Sequence, residues 1–283
     1  MYLLKIQVKK IDESIYRQIQ TVDNIKIHSV FSNTINLIID ETLIAIGSNI
    51  SSSKHHVLIE RVNFAEYKIT SSSILEQCKS GFRIDELFFA VSEEAVVSFN
   101  AYKCIKTIKE EHLIKACILL EWIKQEPRIS IVNYDNSDSI LNYQFKHIYR
   151  FLEEETFETA VKIVGLGVGL TPLGDDFLLG YILAKTSLGI KVPWVSKIIS
   201  IAKEKMTIIS YQALIDVLNG YYTEEFINMI EEFFEEETFN QAKLIMNYGA
   251  TSGAGILVGF IFGLLPKGEL RNECLESIKK HLL

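Results

Sequence analysis

Residues Lys103–Gln125 read KCIKTIKEEHLIKACILLEWIKQ. Apolar side chains fall at Cys104, Ile105, Ile108, Leu113, Ile114, Cys117, Ile118 and Trp122, a spacing close to the turn of a helix. Pro127 is the expected stop. The chain before this stretch has a different period. Ile25–Asp40 (IKIHSVFSNTINLIID) is rich in β-branched residues and partly alternates, and Glu41-Thr42 can turn it into Leu43–Gly47 (LIAIG). His56–Glu60 (HVLIE) and Leu87–Ala90 (LFFA) are further short strands by composition. The polar Ser92-Glu93-Glu94 before Ala95–Phe99 (AVVSF) predicts a hairpin there. Gly47–Lys54 (GSNISSSK) reads as a loop. After the helical stretch, the period predicts helices over 140–151, 171–188, 195–205, 208–218, 224–234, 239–246, 252–265 and 269–282. Strands first and helices afterwards make an α+β fold, not a doubly wound sheet. The change of period divides the chain into a strand-rich domain, 1–100, and a mainly helical one, 101–283.

A chain of 283 residues, 48% hydrophobic, can bury a sizeable core. Its net charge of −7 and the lack of a basic cluster argue against a nucleic-acid partner. Acids gather at Glu153–Glu155 and Glu231–Glu237, which read as solvated helix faces. Cys78, Cys104, Cys117 and Cys274 include no C-x-x-C pair, so reduced thiols are expected. MYLLKIQVKK lacks the apolar core and cleavage site of a signal peptide. The longest membrane-like run, Gly253–Leu265, is shorter than the ~20 residues of a spanning helix. The expectation is a cytoplasmic protein without a membrane partner. The six histidines form no ligand set, and no Gly-x-Ser-x-Gly elbow occurs. No cofactor and no metal are expected on this pattern.

Val164–Gly180 reads VGLGVGLTPLGDDFLLG. Gly165, Gly167 and Gly169 alternate, allowing positive φ and close approach of a ligand to the backbone. Thr171-Pro172 reads as a helix start, Thr as N-cap and Pro at the first helical position. A glycine loop entering a helix N-terminus is an anion site in form. It is neither a P-loop, having no Gly-Lys-Ser/Thr, nor a Rossmann fingerprint, whose third glycine would fall at Leu170. Gly174 precedes Asp175 and Asp176, which lie in the first turn. Acids there complement the helix dipole, but neighbours ~100° apart cannot both serve one cap. One aspartate is expected to fix the loop and the other, Asp176, to face a substrate N–H or a divalent metal.

Tyr248–Phe260 (YGATSGAGILVGF) holds a second glycine-rich helix start, with Thr251 or Ser252 as cap and Gly253 after it. Gly255, Gly259 and Gly263 lie four apart and read as a packing stripe. Thr207 and Ser210, in MTIISYQAL, are a hydroxyl pair at a third helix start, where a plain N-cap is the simple reading. Two such helix ends meeting would make a pocket for a small anionic, amide-like substrate.

At these residues the sequence resembles the AllH-like family, which includes a subunit of oxamate carbamoyltransferase in anaerobic allantoin breakdown, a branch of purine catabolism. The resemblance rests on Gly165-Leu166-Gly167, Gly169-Leu170-Thr171-Pro172, Gly174-Asp175-Asp176-Phe177-Leu178 and Gly180. It continues through Thr207 with Ser210 and Gly249 with Thr251-Ser252-Gly253, and HSVFSNTINL (His28–Leu37) is a weaker echo. The family commonly has a proline where Val168 stands, a serine at Leu173 and an acid at Gly255. The resemblance implies carbamoyl transfer between oxalurate and phosphate, giving oxamate and carbamoyl phosphate, within a complex of sister subunits. It implies Asp175 and Asp176 as catalytic groups, and Gly165, Gly167, Gly169, Thr171, Gly174, Thr207, Ser210, Thr251, Ser252 and Gly253 as substrate-binding ones. Two alternatives stand beside it: a non-catalytic binding or assembly subunit, and a metal-assisted small-molecule enzyme on the same scaffold.

Overall fold

A computed structural model describes residues 4–126 and 140–282. The fold is α+β, with strands over residues 4–97 followed by helices. Contacts divide the chain into two compact units, Met1–Tyr102 with Tyr221–Glu225, and Lys103–Gly220 with Phe226–Leu283. The expected stop at Pro127 lies outside the described residues.

The first unit holds a mixed sheet of nine strands among the described residues. β1 (Leu4–Asp12) is followed by helix α1 (Glu13–Thr21). Then come β2 (Lys26–Val30), β3 (Thr34–Ile39), β4 (Thr42–Gly47), β5 (His56–Ile59), β6 (Leu75–Cys78), β7 (Gly81–Ile84), β8 (Leu87–Ala90) and β9 (Val96–Val97). Their order is β2-β3-β4-β5-β1-β8-β7-β6, with β9 on β1. The single run expected over Ile25–Asp40 is a hairpin, β2 antiparallel to β3, turning at Phe31–Asn33. The turn into β4 sits at Asp40 and Glu41, both at positive φ (46° and 68°), the twist a two-residue hairpin needs. The hairpin expected around Ser92–Glu94 does not form. β8 and β9 both run parallel to β1, at successive parts of its length, so they share a partner and do not pair. Asp12 is buried at the end of β1, where its carboxylate caps α1 through Ser14 N–H (2.9 Å) and accepts Phe99 N–H (3.0 Å). Ile6, Val8, Leu37, Ile44, Val57, Phe82 and Phe89 form the buried core, the alternate positions of their strands.

The second unit contains α2 (Glu110–Gln125), α3 (Ile140–Glu154), α4 (Phe157–Ile163), α5 (Leu173–Ser187), α6 (Val195–Lys205) and α7 (Ile208–Leu218). It also contains most of α8 (Glu224–Glu235), then α9 (Asn240–Met246), α10 (Ser252–Leu264) and α11 (Glu269–Leu282). Two expectations about α2 fail. The helix starts at Glu110, and the segment before it is tied by Lys106 N–H to Ser187 O at the end of α5 (2.8 Å). Its buried face is Ala116, Leu119, Leu120 and Ile123, whereas Ile105, Ile114 and Ile118 are exposed. Apolar residues lie on two faces of this helix, and only packing selects one of them.

α5 and α10 are buried on nearly every side, which suits central helices. They meet backbone to backbone. A Cβ on Gly180 would lie 1.9 Å from Ile256 O, and one on Gly259 would lie 2.1 Å from Phe177 O. The acidic runs are not wholly solvated faces. Glu155 pairs with buried Arg271 (2.5 Å), whose guanidinium also reaches Leu152 O and Leu265 O at the ends of α3 and α10. Glu232 is buried and accepts Asn240 N–H and Gln241 N–H at the start of α9. No helix among the described residues is long and apolar enough to cross a membrane.

Candidate functional site

The glycine loop spans the gap between α4 and α5. α4 is capped by Thr156, whose hydroxyl accepts Thr159 N–H (3.3 Å), and is followed by a turn at Gly165 (φ 70°). A Cβ at Gly165 would sit 2.7 Å from Lys205 O, so the loop passes directly over the end of α6. Gly167 and Gly169 have φ of 130° and 99°, a left-handed backbone that L side chains rarely adopt. The N–H groups of Gly167, Val168, Gly169 and Leu170 make no hydrogen bond within the described residues. Successive free N–H groups in such a bend form an anion-binding concavity. Val168 and Leu170 are 81% and 54% exposed at the same loop tip.

The helix starts differ in detail from their expected caps. α5 begins after Pro172, not Thr171, and has no side-chain cap. Thr171 Oγ1 instead lies 2.7 Å from Ser252 Oγ, at the start of α10. The two glycine-rich helix ends therefore adjoin. Thr251 precedes α10 but its side chain caps nothing. Thr207 is the N-cap of α7, accepting Ser210 N–H (3.1 Å), and its hydroxyl also donates to Leu170 O (2.6 Å). A third helix start is thereby fastened to the loop. Gly174 and Gly253 have a packing role: a Cβ on either would be 2.1 Å from a carbonyl, Ile163 O and Ile245 O respectively. Their N–H groups are taken by Leu166 O (2.8 Å) and Tyr248 O (3.0 Å). Gly255, Gly259 and Gly263 line α5, as a packing stripe would.

Asp175 and Asp176 are 3% and 4% exposed. Asp175 Oδ1 accepts Gly165 N–H at 2.6 Å, holding the loop to the first turn of α5. Oδ2 of both residues is buried without a hydrogen-bond partner. Burial pushes the Asp175 carboxyl up to about 6, against the pull of Gly165 N–H and the nearby Ser210 hydroxyl. Burial pushes Asp176 to about 7, with the Ser252 and Thr171 hydroxyls lowering it and the Asp175 charge raising it. Two adjacent carboxyls that titrate near neutrality can hold and release a proton. A side chain at Gly255 would meet Asp176 Cβ and Leu173 Cδ1, each at 3.1 Å from its Cβ. Gly255 and Leu173 thus flank Asp176, which spacing alone did not reveal. Among the described residues no three His, Cys, Asp or Glu side chains gather as a metal set.

The model of a family described as oxamate carbamoyltransferase subunit AllH matches residues 163–264. This segment is AllH-like. The AllH match runs from the end of α4 to the end of α10, and so holds the glycine loop, Thr207 and Ser252 together. Neither the curated proteins nor the solved structures include a match to the chain.

Proposed function

We propose that the chain is a subunit of an oxamate carbamoyltransferase-like complex, with its substrate site at the joined starts of α5, α7 and α10. The observation that carries this reading is the Thr171–Ser252 hydrogen bond, which brings the start of α10 to two buried carboxyls with unpartnered Oδ2 atoms and the adjoining loop of free N–H groups. The loop N–H groups hold phosphate or a carboxylate. The aspartate oxygens accept the amide hydrogens of the carbamoyl group. In the forward direction a phosphate oxygen attacks the carbamoyl carbon of oxalurate. The bond to the oxamate nitrogen breaks, and that nitrogen takes a proton. Asp176, pushed up to about 7, is protonated often enough at neutral pH to supply it. Donors aimed at the carbonyl oxygen stabilise the tetrahedral intermediate.

Exposure of Val168 and Leu170 favours a second reading, in which a sister subunit covers the loop and chemistry needs both chains. One assay separates them: phosphate-dependent cleavage of oxalurate, with the chain alone and with its co-encoded partners. Carbamoyl phosphate should form only when this chain is present, and Asp176→Asn should lower the rate by about a hundredfold or more. A complex that keeps its full rate with Asp176→Asn, or without the chain, would overturn the proposal.

A further inference from the structure

Two thiols far apart in sequence meet in the second unit. Cys117 Sγ on α2 and Cys274 Sγ on α11 are 3.0 Å apart. The surrounding contacts fix this register. Lys124 Nζ donates to Ser277 Oγ (2.5 Å) and Ser277 Oγ to Glu121 Oε1 (2.9 Å), about one to two turns further along α2 and about one along α11. Cys117, Glu121 and Lys124 share one face of α2, and Cys274 and Ser277 share one face of α11. Cys117 is partly exposed and Cys274 is buried. Cys78 lies in the first unit and Cys104 is exposed ahead of α2.

We infer that Cys117 and Cys274 are a modification site: a hydroperoxide converts them to a reversible disulfide that fastens α11 to α2. Bond formation needs the sulfurs to close by only about 1 Å, to the ~2.05 Å of a disulfide. The partly exposed thiol reacts first. Cys117 thiolate attacks a peroxide oxygen, the O–O bond breaks, and the leaving oxygen departs as water or alcohol, giving a sulfenic acid. Cys274 then attacks Cys117 Sγ. The S–O bond breaks, the S–S bond forms and water leaves. In total the two thiols lose two electrons and two protons, and the hydroperoxide takes both pairs. Burial first, and then the bond and charge of Cys117, push the Cys274 thiol upward. Cys117 is the more exposed of the two and meets the oxidant first, so Cys274, in contact with it, is the resolving partner and loses its proton as water departs. The closed loop spans a separation of 157 residues, so the bond removes much freedom from the unfolded chain.

The test uses the full chain, reduced and then treated with hydrogen peroxide. Free thiols should fall from four to two, and unreduced digests should contain the linked Cys117 and Cys274 peptides. Tm should rise by at least about 4 °C, and dithiothreitol should reverse both changes. In Cys274→Ser, Cys117 should stop at a dimedone-reactive sulfenic acid with no rise in Tm. In Cys117→Ser, Cys274 should stay reduced. The inference fails if the wild-type chain yields no such linked peptide, or if Cys274 is oxidised equally well in Cys117→Ser.

Discussion

Asp175 Oδ1 is committed to Gly165 N–H, while the groups that pull on Asp176 are the Ser252 and Thr171 hydroxyls, so the two neighbours should respond differently to substitution. Asp175→Ala leaves the Gly165 N–H without its acceptor and frees the loop. It should lower stability by about 1–3 kcal/mol, read from urea denaturation. Asp176→Asn removes a desolvated charge, keeps an amide oxygen for the Thr171 and Ser252 hydroxyls and leaves the Gly165 N–H bonded, so its Tm at pH 8 should equal or exceed wild type. The same variant should lose turnover in the oxalurate assay. Equal loss of stability in both variants, with unchanged turnover, would make the pair purely structural. Gly255 belongs to this scale as well. Leu173 Cδ1 occupies the space a side chain there would enter, so the apolar residue at 173 and the glycine at 255 fit together.

At the scale of elements, the seam between α5 and α10 depends on missing Cβ atoms. Gly180→Ala would press a methyl into Ile256 O, and a backbone carbonyl cannot swing aside. The expected cost is about 3 kcal/mol or more, since the helices must separate. Gly169→Ala, by contrast, meets nothing within 4 Å and is opposed only by its φ of 99°. Its cost should be about 1 kcal/mol. Thermal melts of the two variants check the ranking, and a reversed order would contradict this account of the seam. α2 makes the complementary point. Its stripe at Ala116, Leu119, Leu120 and Ile123 has perfect helical spacing, yet so does the exposed pair Ile114 and Ile118. Periodicity located the helix, but it could not choose between two apolar faces. The acids at Glu155 and Glu232 were hidden for a related reason: their partners, Arg271 and the start of α9, lie in other elements.

For the molecule as a whole, the aspartate pair ties stability to pH. Both carboxyls titrate higher in the folded chain, about 6 and about 7, than the ordinary value of 3.8. The folded state therefore binds their protons more tightly. The stability this adds is complete below about pH 4 and is lost as pH rises through 6 to 7. Comparing wild type with Asp175→Asn/Asp176→Asn isolates the effect, because other groups cancel. Between pH 5 and pH 8 the wild type should lose a few kcal/mol more than the double variant, of the order of one to three. Parallel pH curves would show that the pair carries no such linkage. The order of elements was open to sequence reasoning, because hydrophobic period reports local structure: strands first, then helices, with the bounds of α6, α7 and α11 read correctly. The glycine loop was legible too, since alternating glycines before a Thr-Pro and two acids restrict the backbone locally. Pairing was not. That β1 stands between β5 and β8, that Thr171 reaches Ser252 rather than capping its own helix, and that Cys117 touches Cys274 are all contacts across long stretches of chain. No local pattern encodes such contacts; they are decided by which packing buries the most apolar surface while leaving the fewest polar groups unpaired.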